Sequence, residues 1–228
     1  MKNSQEDAFV NSEADAWYDR NKSAIMETVS ADHKVIKAIT ESCMPHSGCF
    51  IDLGGGSGKV AAGINNLYPD WQGTVLEPSK KAIKAGSVAF PSLKFICGSL
   101  TQPKDMPSEL YDLAIICGVF TWIDRSLLSQ AVANIDSLVK PGGYIIVSDF
   151  YTPFPRANKY HHQDGLFTFK QDYSLPFLSL NIYTERYRNS QPMIEHTHFD
   201  EDDPYDAWWM TSVLQKDLLG RYRRTSVK

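Results

Sequence analysis

The stretch FIDLGGGSG at residues 50–58 decides the fold of this chain. An apolar run, Cys49 to Leu53, ends there in a cluster of glycines, a pattern typical of a buried strand that turns directly into a helix. Glycines in such a turn tolerate unusual backbone angles and let ligand atoms approach the main chain closely. The helix that follows offers unpaired N–H groups to an anion. The sequence therefore predicts a ligand-binding loop at this point.

On both sides of this loop, strand-like and helix-like segments alternate along the chain. Further apolar runs at 74–76, 93–97, 113–117 and 144–148 predict four more strands. Apolar residues at helical spacing predict intervening helices after Asp32, over 60–67, from Pro78 onwards and over 127–139. This alternation indicates an α/β fold of parallel βαβ units with helices on both faces of the sheet. Ligands bind such sheets outside the carboxyl ends of the strands.

The chain length of 228 residues fits one domain, 1–228, with 43% hydrophobic residues available for a core. After Asp149 the composition changes. Residues 151–180 are rich in Pro, His, Phe and Tyr and are predicted to form an insertion or lid over the carboxyl edge of the sheet. Two final strands are predicted at 182–187 and 208–214, which gives seven strands in total.

Charge and composition exclude several classes of protein. A net charge of −4 gives no electrostatic reason to expect a nucleic-acid partner. The N-terminus lacks the apolar segment of a signal peptide, and no run reaches the ~20 apolar residues of a membrane span. We therefore expect a soluble, cytoplasmic protein with no membrane association. His196 and His198 form an H-x-H pair, but without a clear third ligand a solvated loop is expected there rather than a metal site.

The glycine loop alone leaves the ligand open. Residues 56–61 formally fit the dinucleotide pattern G-x-G-x-x-[GA], whereas a Walker P-loop fails because Val60 replaces its Ser or Thr. Asp52, two residues before the first glycine, could hold the loop backbone or an amine of the ligand. Glu77 ends the second strand, where a carboxylate can accept hydrogen bonds from both ribose hydroxyls. The position of Glu77 is equally compatible with a nicotinamide dinucleotide, whereas the position of Asp52 is not.

Three stretches together resemble a known family. Residues 50–58, YDLAIICGVFTWI at 111–123 and LVKPGGYIIVS at 138–148 are similar to the first motif, the fourth-strand motif and the "L-x-P-G-G" stretch of class I, Rossmann-like methyltransferases. The resemblance implies S-adenosyl-L-methionine as the cofactor. It also implies a seven-stranded, mostly parallel sheet in the order 3-2-1-4-5-7-6, with the last strand antiparallel.

The resemblance also implies which residues bind the cofactor. The loop contributes Gly54, Gly56 and Gly58 beside Asp52, Glu77 binds the ribose, and the residues Cys117, Gly118 and Val119 line the site. One position departs from the family pattern. The family often has Asp after the glycine that ends the third strand, to hold the adenine amine, whereas Ser99 follows Gly98 here. We expect the Ser99 hydroxyl or the Leu100 backbone to make this contact.

The two ends of the chain resemble a subset of the family associated with bacterial small-molecule and surface-carbohydrate biosynthesis. EADAWYDRN at 13–21 is similar to its N-terminal element, so residues 1–30 are expected to cover cofactor and substrate. Trp17, Tyr18 and Trp122, like Phe120, could lie against the sulfonium or adenine, or could simply pack in the core. Arg20 is placed with the cofactor-binding residues, and its charge would also suit a substrate phosphate or carboxylate.

The expected reaction is methyl transfer to an oxygen or nitrogen of a small polar acceptor, with a sugar, sugar nucleotide or related metabolite as first choice. His161 or His162 could be the general base for a hydroxyl acceptor, since histidine is the side chain that most often fills this role. Tyr160, Lys170 and Tyr173 are candidate substrate residues. The alternatives are an RNA methyltransferase, a nicotinamide-dependent oxidoreductase, and a binding protein that kept the pocket without catalysis. The oligomeric state stays open.

Overall fold

The computed structural model of the chain describes residues 5–22, 29–193, 208–220 and 222. Within these ranges the strands are β1 Gly48–Leu53, β2 Trp71–Glu77, β3 Lys94–Cys97, β4 Tyr111–Cys117, β5 Val139–Tyr151, β6 Arg156–Lys159, β7 Phe167–Lys170, β8 Tyr183–Pro192 and β9 Trp208–Lys216. The helices are α1 Gln5–Ala8, α2 Ala14–Asn21, α3 Lys34–Glu41, α4 Lys59–Leu67, α5 Lys80–Ala89, α6 Leu128–Leu138 and α7 Leu175–Leu178. A π-helical turn, Phe9–Glu13, joins α1 to α2.

Seven of these strands form one sheet in the order β3-β2-β1-β4-β5-β9-β8. The first five are parallel to one another, and β9 is antiparallel to both of its neighbours. With β8 and β9 counted as the sixth and seventh strands, this is the predicted order 3-2-1-4-5-7-6, so the predicted fold class is confirmed. The carboxyl ends of β1, β2, β3, β4 and β5 therefore meet at one edge of the sheet.

Some element boundaries differ from the prediction. Strand β5 was expected at 144–148 but begins at Val139, beside a register irregularity in its pairing with β4. Strand β8 continues to Pro192 because it pairs with β9 over most of its length. Helix α3 starts after His33, whose Nδ1 accepts the N–H of Val35 (3.3 Å). The segment 151–180 contains a two-stranded sheet of β6 and β7. The sequence did not predict this sheet, because each of its strands has four residues and shows no long period.

The sheet packs apolar side chains on both faces. In β1, Phe50 faces a cluster with α3 and α4, whereas Ile51 and Leu53 face a second cluster with α6. This alternation follows from the two-residue period of a strand buried on both sides. No helix among the described residues is long and apolar enough to cross a membrane. The two layers hold the carboxyl edge of the sheet rigid beneath its loops.

Candidate active site

The glycine loop connects β1 to α4 at the centre of the carboxyl edge. Gly54 has φ +73°, and its N–H donates to the carbonyl of Leu76 in the neighbouring strand (2.7 Å). A Cβ atom on Gly54 would lie 2.6 Å from Cγ2 of Val119, in the loop after β4. Only glycine allows this combination of backbone angle and close approach. The loops after β1 and β4 therefore form one continuous wall.

Glu77, the last residue of β2, is held in place by backbone N–H groups. Its Oε2 accepts from Gly56 (3.0 Å) and its Oε1 accepts from Ser79 (2.8 Å). Burial raises the pKa of Glu77 to about 7, although the two N–H donors favour the charged form. A carboxylate oxygen has more than one lone pair. Each oxygen can therefore still accept a hydrogen bond from a hydroxyl group in the cavity.

Asp52 lies beneath the same loop rather than in its opening. The side chain is 1% exposed, and neither carboxylate oxygen has a hydrogen-bond partner among the described residues. A Cβ atom on Gly55 would lie 2.6 Å from its Cγ. Burial, with a smaller effect of Glu77, raises the pKa of Asp52 to about 7. A buried acceptor without a partner is costly, and it suits a site that receives a positively charged ligand.

The loop after β3 contributes a cluster of hydroxyl groups and a carboxylate. Oγ of Ser99 donates to Oε1 of Glu6 (2.8 Å), and the hydroxyl of Thr101 hydrogen-bonds to the same oxygen. The backbone N–H of Ser99 donates to Oδ2 of Asp105 (2.9 Å). Glu6 belongs to α1 and is 9% exposed. The Glu6 carboxylate of the N-terminal segment thus lies beside the loop after β3, where the family pattern has Asp and this chain has Ser99.

Asp15 and Gln5 are two of the residues that attach the N-terminal segment to the rest of the fold. Asp15 Oδ1 accepts from Oγ of Ser79 (2.6 Å) and from the N–H of Lys81 (3.2 Å), which joins α2 to the first turn of α5. The Gln5 side chain donates to the carbonyls of Trp122 (2.8 Å) and Phe167 (2.9 Å) and accepts the N–H of Phe167 (3.0 Å). Residues 5–22 therefore close the cavity from above, between α5 and the β6–β7 sheet.

One cavity joins these parts, and most of the residues predicted to bind the cofactor line it: Trp17, Tyr18, Gly54, Gly56, Glu77, Ser99, Leu100, Cys117, Gly118, Val119 and Trp122. The sequence prediction missed the remaining lining residues: Glu6, Phe9, Ala14, Pro78, Ser79, Ala82, Gly98, Thr101 and Ile123. Most of these directly follow or flank the predicted ones along the chain. Glu6 and Phe9 carry no signal in the sequence, because only the fold brings α1 to this edge.

Three predicted cofactor residues do not line the cavity. Asp52 lies under the loop, and Gly58 caps α4 with its Cα facing the ring of Phe95. The guanidinium of Arg20 hydrogen-bonds to Glu13 and to the hydroxyl of Tyr160 (2.7 Å). Arg20 therefore holds α2 against the β6–β7 hairpin rather than pointing into the cavity.

The predicted substrate residues lie in different environments. Tyr160 is buried, contacts Trp122 edge-on (4.9 Å between ring centroids) and donates to Glu13 (2.7 Å). The Lys170 ammonium lies 5.5 Å from the centre of the Phe150 ring. Tyr173 is 1% exposed and stacks on Phe120 at 5.1 Å between ring centroids. Phe120 and Tyr173 are thus occupied in the core, so neither has a free face for a ligand.

The two candidate bases stand at the exposed tip of the β6–β7 hairpin. His161 and His162 are exposed, their ring centroids lie 4.0 Å apart, and neither is among the residues that line the cavity. His196 and His198 lie outside the described residues. Within the part of the chain that the structure describes, no group of three or more His, Cys, Asp or Glu side chains could hold a metal ion.

Comparisons with known proteins agree with this arrangement. Residues 51–145 match the family model of the methyltransferase domain. A comparison with curated proteins found no match. Among solved structures, a chain from the complex of the Haloferax volcanii Trm112 methyltransferase activator with a candidate methyltransferase is 16% identical, with a TM-score of 0.67 over 95% of this chain and 100% of that one.

Two further structures contain S-adenosylhomocysteine. The Burkholderia thailandensis 1,6-didemethyltoxoflavin-N1-methyltransferase, which also holds 1,6-didemethyltoxoflavin, is 16% identical, with a TM-score of 0.62 over 93% of this chain and 87% of that one. The N-methyltransferase NodS from Bradyrhizobium japonicum is 15% identical, with a TM-score of 0.53 over 75% and 79%. At these identities the structures establish the fold alone. Residues 51–145 are therefore similar to the methyltransferase domain family, and the chain has the fold of the class I, S-adenosylmethionine-dependent methyltransferases.

Proposed function

We propose that this protein transfers the methyl group of S-adenosylmethionine to an oxygen or nitrogen atom of a small polar acceptor. The observation that carries the proposal is the cavity at the carboxyl edge, where the Glu77 carboxylate is held by two backbone N–H groups beside the glycine loop. Glu77 accepts the ribose hydroxyls. The Gly54 and Gly56 backbone leaves room for the methionine portion.

When bound, S-adenosylmethionine supplies a methyl group on a good leaving group, so the chain's own task is mainly to position the acceptor. Holding two reactants in line can contribute roughly 7–11 kcal/mol in favourable cases. Gly118 and Val119 form the wall nearest the centre of the sheet, and Trp122 and Tyr160 pack against each other above it. These side chains exclude water and restrict the direction from which an acceptor enters.

We infer the class of acceptor from the net charge, from a motif that the sequence lacks and from the similar solved structures. The net charge of −4 and the sequence Cys117-Gly118-Val119-Phe120, in place of an N/D-P-P-Y/F motif, argue against RNA as the acceptor. Two of the similar structures are methyltransferases named for N-methylation, one of them with 1,6-didemethyltoxoflavin bound. A sugar, sugar nucleotide or related metabolite is our first choice of acceptor.

The roles of His161 and His162 follow from this choice. An amine acceptor needs only to be neutral, whereas a hydroxyl acceptor gains about 10²–10⁴-fold from a general base. Both histidines lie on the lid hairpin, which is joined to the N-terminal segment through Gln5. We propose that one of them reaches a hydroxyl acceptor when the hairpin folds over the bound pair.

A transfer assay tests the proposal. Protein is incubated with methyl-labelled S-adenosylmethionine and, separately, with sugars, sugar nucleotides, small amines and total RNA, and labelled product and S-adenosylhomocysteine are measured. We expect turnover on a small acceptor and none on RNA. Turnover on RNA alone would replace the proposed acceptor. Binding of S-adenosylhomocysteine without turnover on any acceptor would favour a binding protein.

A further inference from the structure

A second pocket lies beside the cofactor cavity, and Gly118 and Trp209 separate the two. Gly118 lines the first cavity and Trp209 lines the second pocket, and a Cβ atom on Gly118 would lie 3.4 Å from Cη2 of Trp209. The indole of Trp209 is fixed, because its Nε1–H donates to Oγ of Ser148 (2.7 Å) and its ring packs on Phe150 with 4.8 Å between ring centroids. The cavity and the pocket are therefore neighbours that share one wall.

The second pocket lies between the start of α3 and the strands β8 and β9. Side chains alternate along a strand, so Asn189 and Gln191 of β8 share the face of the sheet on which Trp209 of β9 stands. Trp209 pairs with Phe150 at the end of β5, which places the pocket at the carboxyl edge of the sheet. The opposite wall is supplied by Lys34 and its neighbours at the start of α3.

Lys34 is a half-buried cation in this pocket. Its ammonium lies 3.4 Å from the centre of the Trp209 ring, and it forms no ion pair with a carboxylate among the described residues. Burial lowers the pKa of Lys34, although Cys117 and Asp149 oppose this shift. Removing an ammonium group from water is costly unless an opposite charge compensates it. An anionic ligand at this place would provide that charge.

The groups around Lys34 also favour an anion. Nδ1 of His33 accepts the N–H of Val35, and burial lowers the pKa of His33 to about 4, so the neutral ring has its proton on Nε2 and can donate it. Lys37 pairs with Asp32 (3.2 Å), but both side chains are exposed and such pairs are weak. Two ammonium groups against one carboxylate give this wall a net positive charge.

We propose that the second pocket binds a carboxylate or phosphate group of the methyl acceptor, so that the protein methylates anionic small molecules in preference to neutral ones. One indole ring separates Gly118 from the Lys34 ammonium, so an acceptor as small as a single sugar ring reaches from the cofactor cavity into the pocket. A neutral acceptor leaves the cation without a counter-charge. The proposal rests on the methyl transfer proposed above and specifies the class of its acceptor.

Titration of inorganic phosphate into the ligand-free protein tests the pocket without any cofactor. The readout is the indole N–H signal of Trp209 in the NMR spectrum, assigned with Trp209→Phe, and chloride keeps the ionic strength constant. We expect a saturable shift with a dissociation constant on the order of millimolar, weakened at least about fivefold in Lys34→Gln. Asp32→Asn should tighten binding about two- to fivefold, because the one carboxylate of the wall is removed. Lys84→Gln, at an exposed lysine on α5, is the control.

Two results of this titration would overturn the proposal. One is the absence of a saturable shift in the wild type, and the other is an affinity in Lys34→Gln within about twofold of the wild type. Should Lys34→Gln fail to fold, Asp32→Asn decides, because it changes an exposed side chain. Unchanged or weaker phosphate binding in Asp32→Asn would contradict an electrostatic site.

Matched acceptors test the role of the pocket in methyl transfer. Glucose is compared with glucuronate and with glucose 6-phosphate, and glucosamine with glucosamine 6-phosphate. We expect kcat/KM to be at least about tenfold higher for the anionic members, and Lys34→Gln to reduce this ratio at least about fivefold, mainly through KM. Lys84→Gln should leave the ratio unchanged. Equal use of neutral and anionic members would contradict the proposal. Phosphate binding that depends on Lys34, without turnover on any acceptor, would count against the methyl transfer instead.

Discussion

At the scale of one residue, the burial of Asp52 beneath the glycine loop lowers the stability of the folded protein. Its carboxylate is buried without a hydrogen-bond partner among the described residues, and burial raises its pKa to about 7. The folded protein therefore keeps a proton that the unfolded chain releases near its ordinary pKa of about 4. The contribution of protonated Asp52 to the free energy of unfolding is fully present below that pKa, and it is lost as the pH rises through 7.

We expect Asp52→Asn to weaken the pH dependence of stability in the ligand-free protein. Between about pH 5.5 and pH 8 the wild type should lose roughly 1–3 kcal/mol more than the variant, because the amide does not ionise. Glu77 and Asp149, whose pKa values burial also raises to about 7, act in the same direction in both proteins. His33, with its pKa lowered to about 4 by burial, opposes them. Thermal unfolding at both pH values measures the difference.

The control for this experiment is Asp70→Asn, at an exposed carboxylate before β2. It should follow the wild type at both pH values. Equal losses in the wild type and Asp52→Asn would show that Asp52 does not titrate in this range, and the account of its burial would be wrong.

The general-base hypothesis makes a prediction for His161 and His162. On a hydroxyl acceptor, replacing the true base by Ala should lower the rate at least about tenfold and change the shape of the pH–rate profile. The other histidine, at the same exposed hairpin tip, provides the matched control. If both single variants keep the wild-type rate and profile, catalysis relies on positioning alone.

At the scale of elements, Tyr160 joins α2 to the β6–β7 hairpin. Its hydroxyl donates to Glu13 and accepts from Arg20, so Tyr160→Phe leaves the buried Glu13 carboxylate short of a partner and removes one hydrogen bond from the exposed Arg20 guanidinium. We expect a loss of about 1–2 kcal/mol in stability, together with faster amide exchange in residues 5–22 and 156–170. Tyr222→Phe, at an exposed hydroxyl near the C-terminus, is the control. Unchanged exchange in α2 would mean that Gln5 alone couples the two segments.

Helix α5 packs directly against the glycine loop. A Cβ atom on Gly86 would lie 2.4 Å from the carbonyl oxygen of Ser57, so alanine does not fit although it favours a helix. Gly86→Ala should destabilise the protein by about 1–3 kcal/mol and weaken S-adenosylhomocysteine binding by displacing the loop. Ser87→Ala, the exposed next residue, should do neither. Full cofactor affinity in Gly86→Ala, measured by calorimetry, would contradict the proposed rigidity of the loop.

The sequence predicted the elements that obey a local rule. Apolar runs and glycine punctuation located the central strands, whereas the sheet order and most of the cavity wall were implied by the resemblance to the methyltransferase family. It did not predict the β6–β7 sheet, whose four-residue strands are too short to show a period. It also missed Glu6, because a contact across 93 residues leaves no local pattern. Arg20, which the prediction places with the cofactor-binding residues, is paired with Glu13 in the fold.

At the scale of the whole molecule, the cavity is assembled from distant parts of the chain. The carboxyl edge of the sheet supplies a rigid floor, and residues 5–22 and the β6–β7 hairpin supply a cover that is held by Gln5, Asp15 and Tyr160. A ligand bound between floor and cover stabilises the folded state by mass action. The central claim is therefore that the ligand of this cavity is S-adenosylmethionine, bound through Glu77.

The most direct test is calorimetric titration of S-adenosylhomocysteine, and then of NADH, into the wild type and into Glu77→Ala. We expect S-adenosylhomocysteine alone to bind, with a dissociation constant on the order of micromolar, and its affinity to fall at least about tenfold in Glu77→Ala because two hydrogen bonds to a charged group are lost. Binding of NADH in place of S-adenosylhomocysteine would show that residues 56–61 act as a dinucleotide motif, and it would contradict the account.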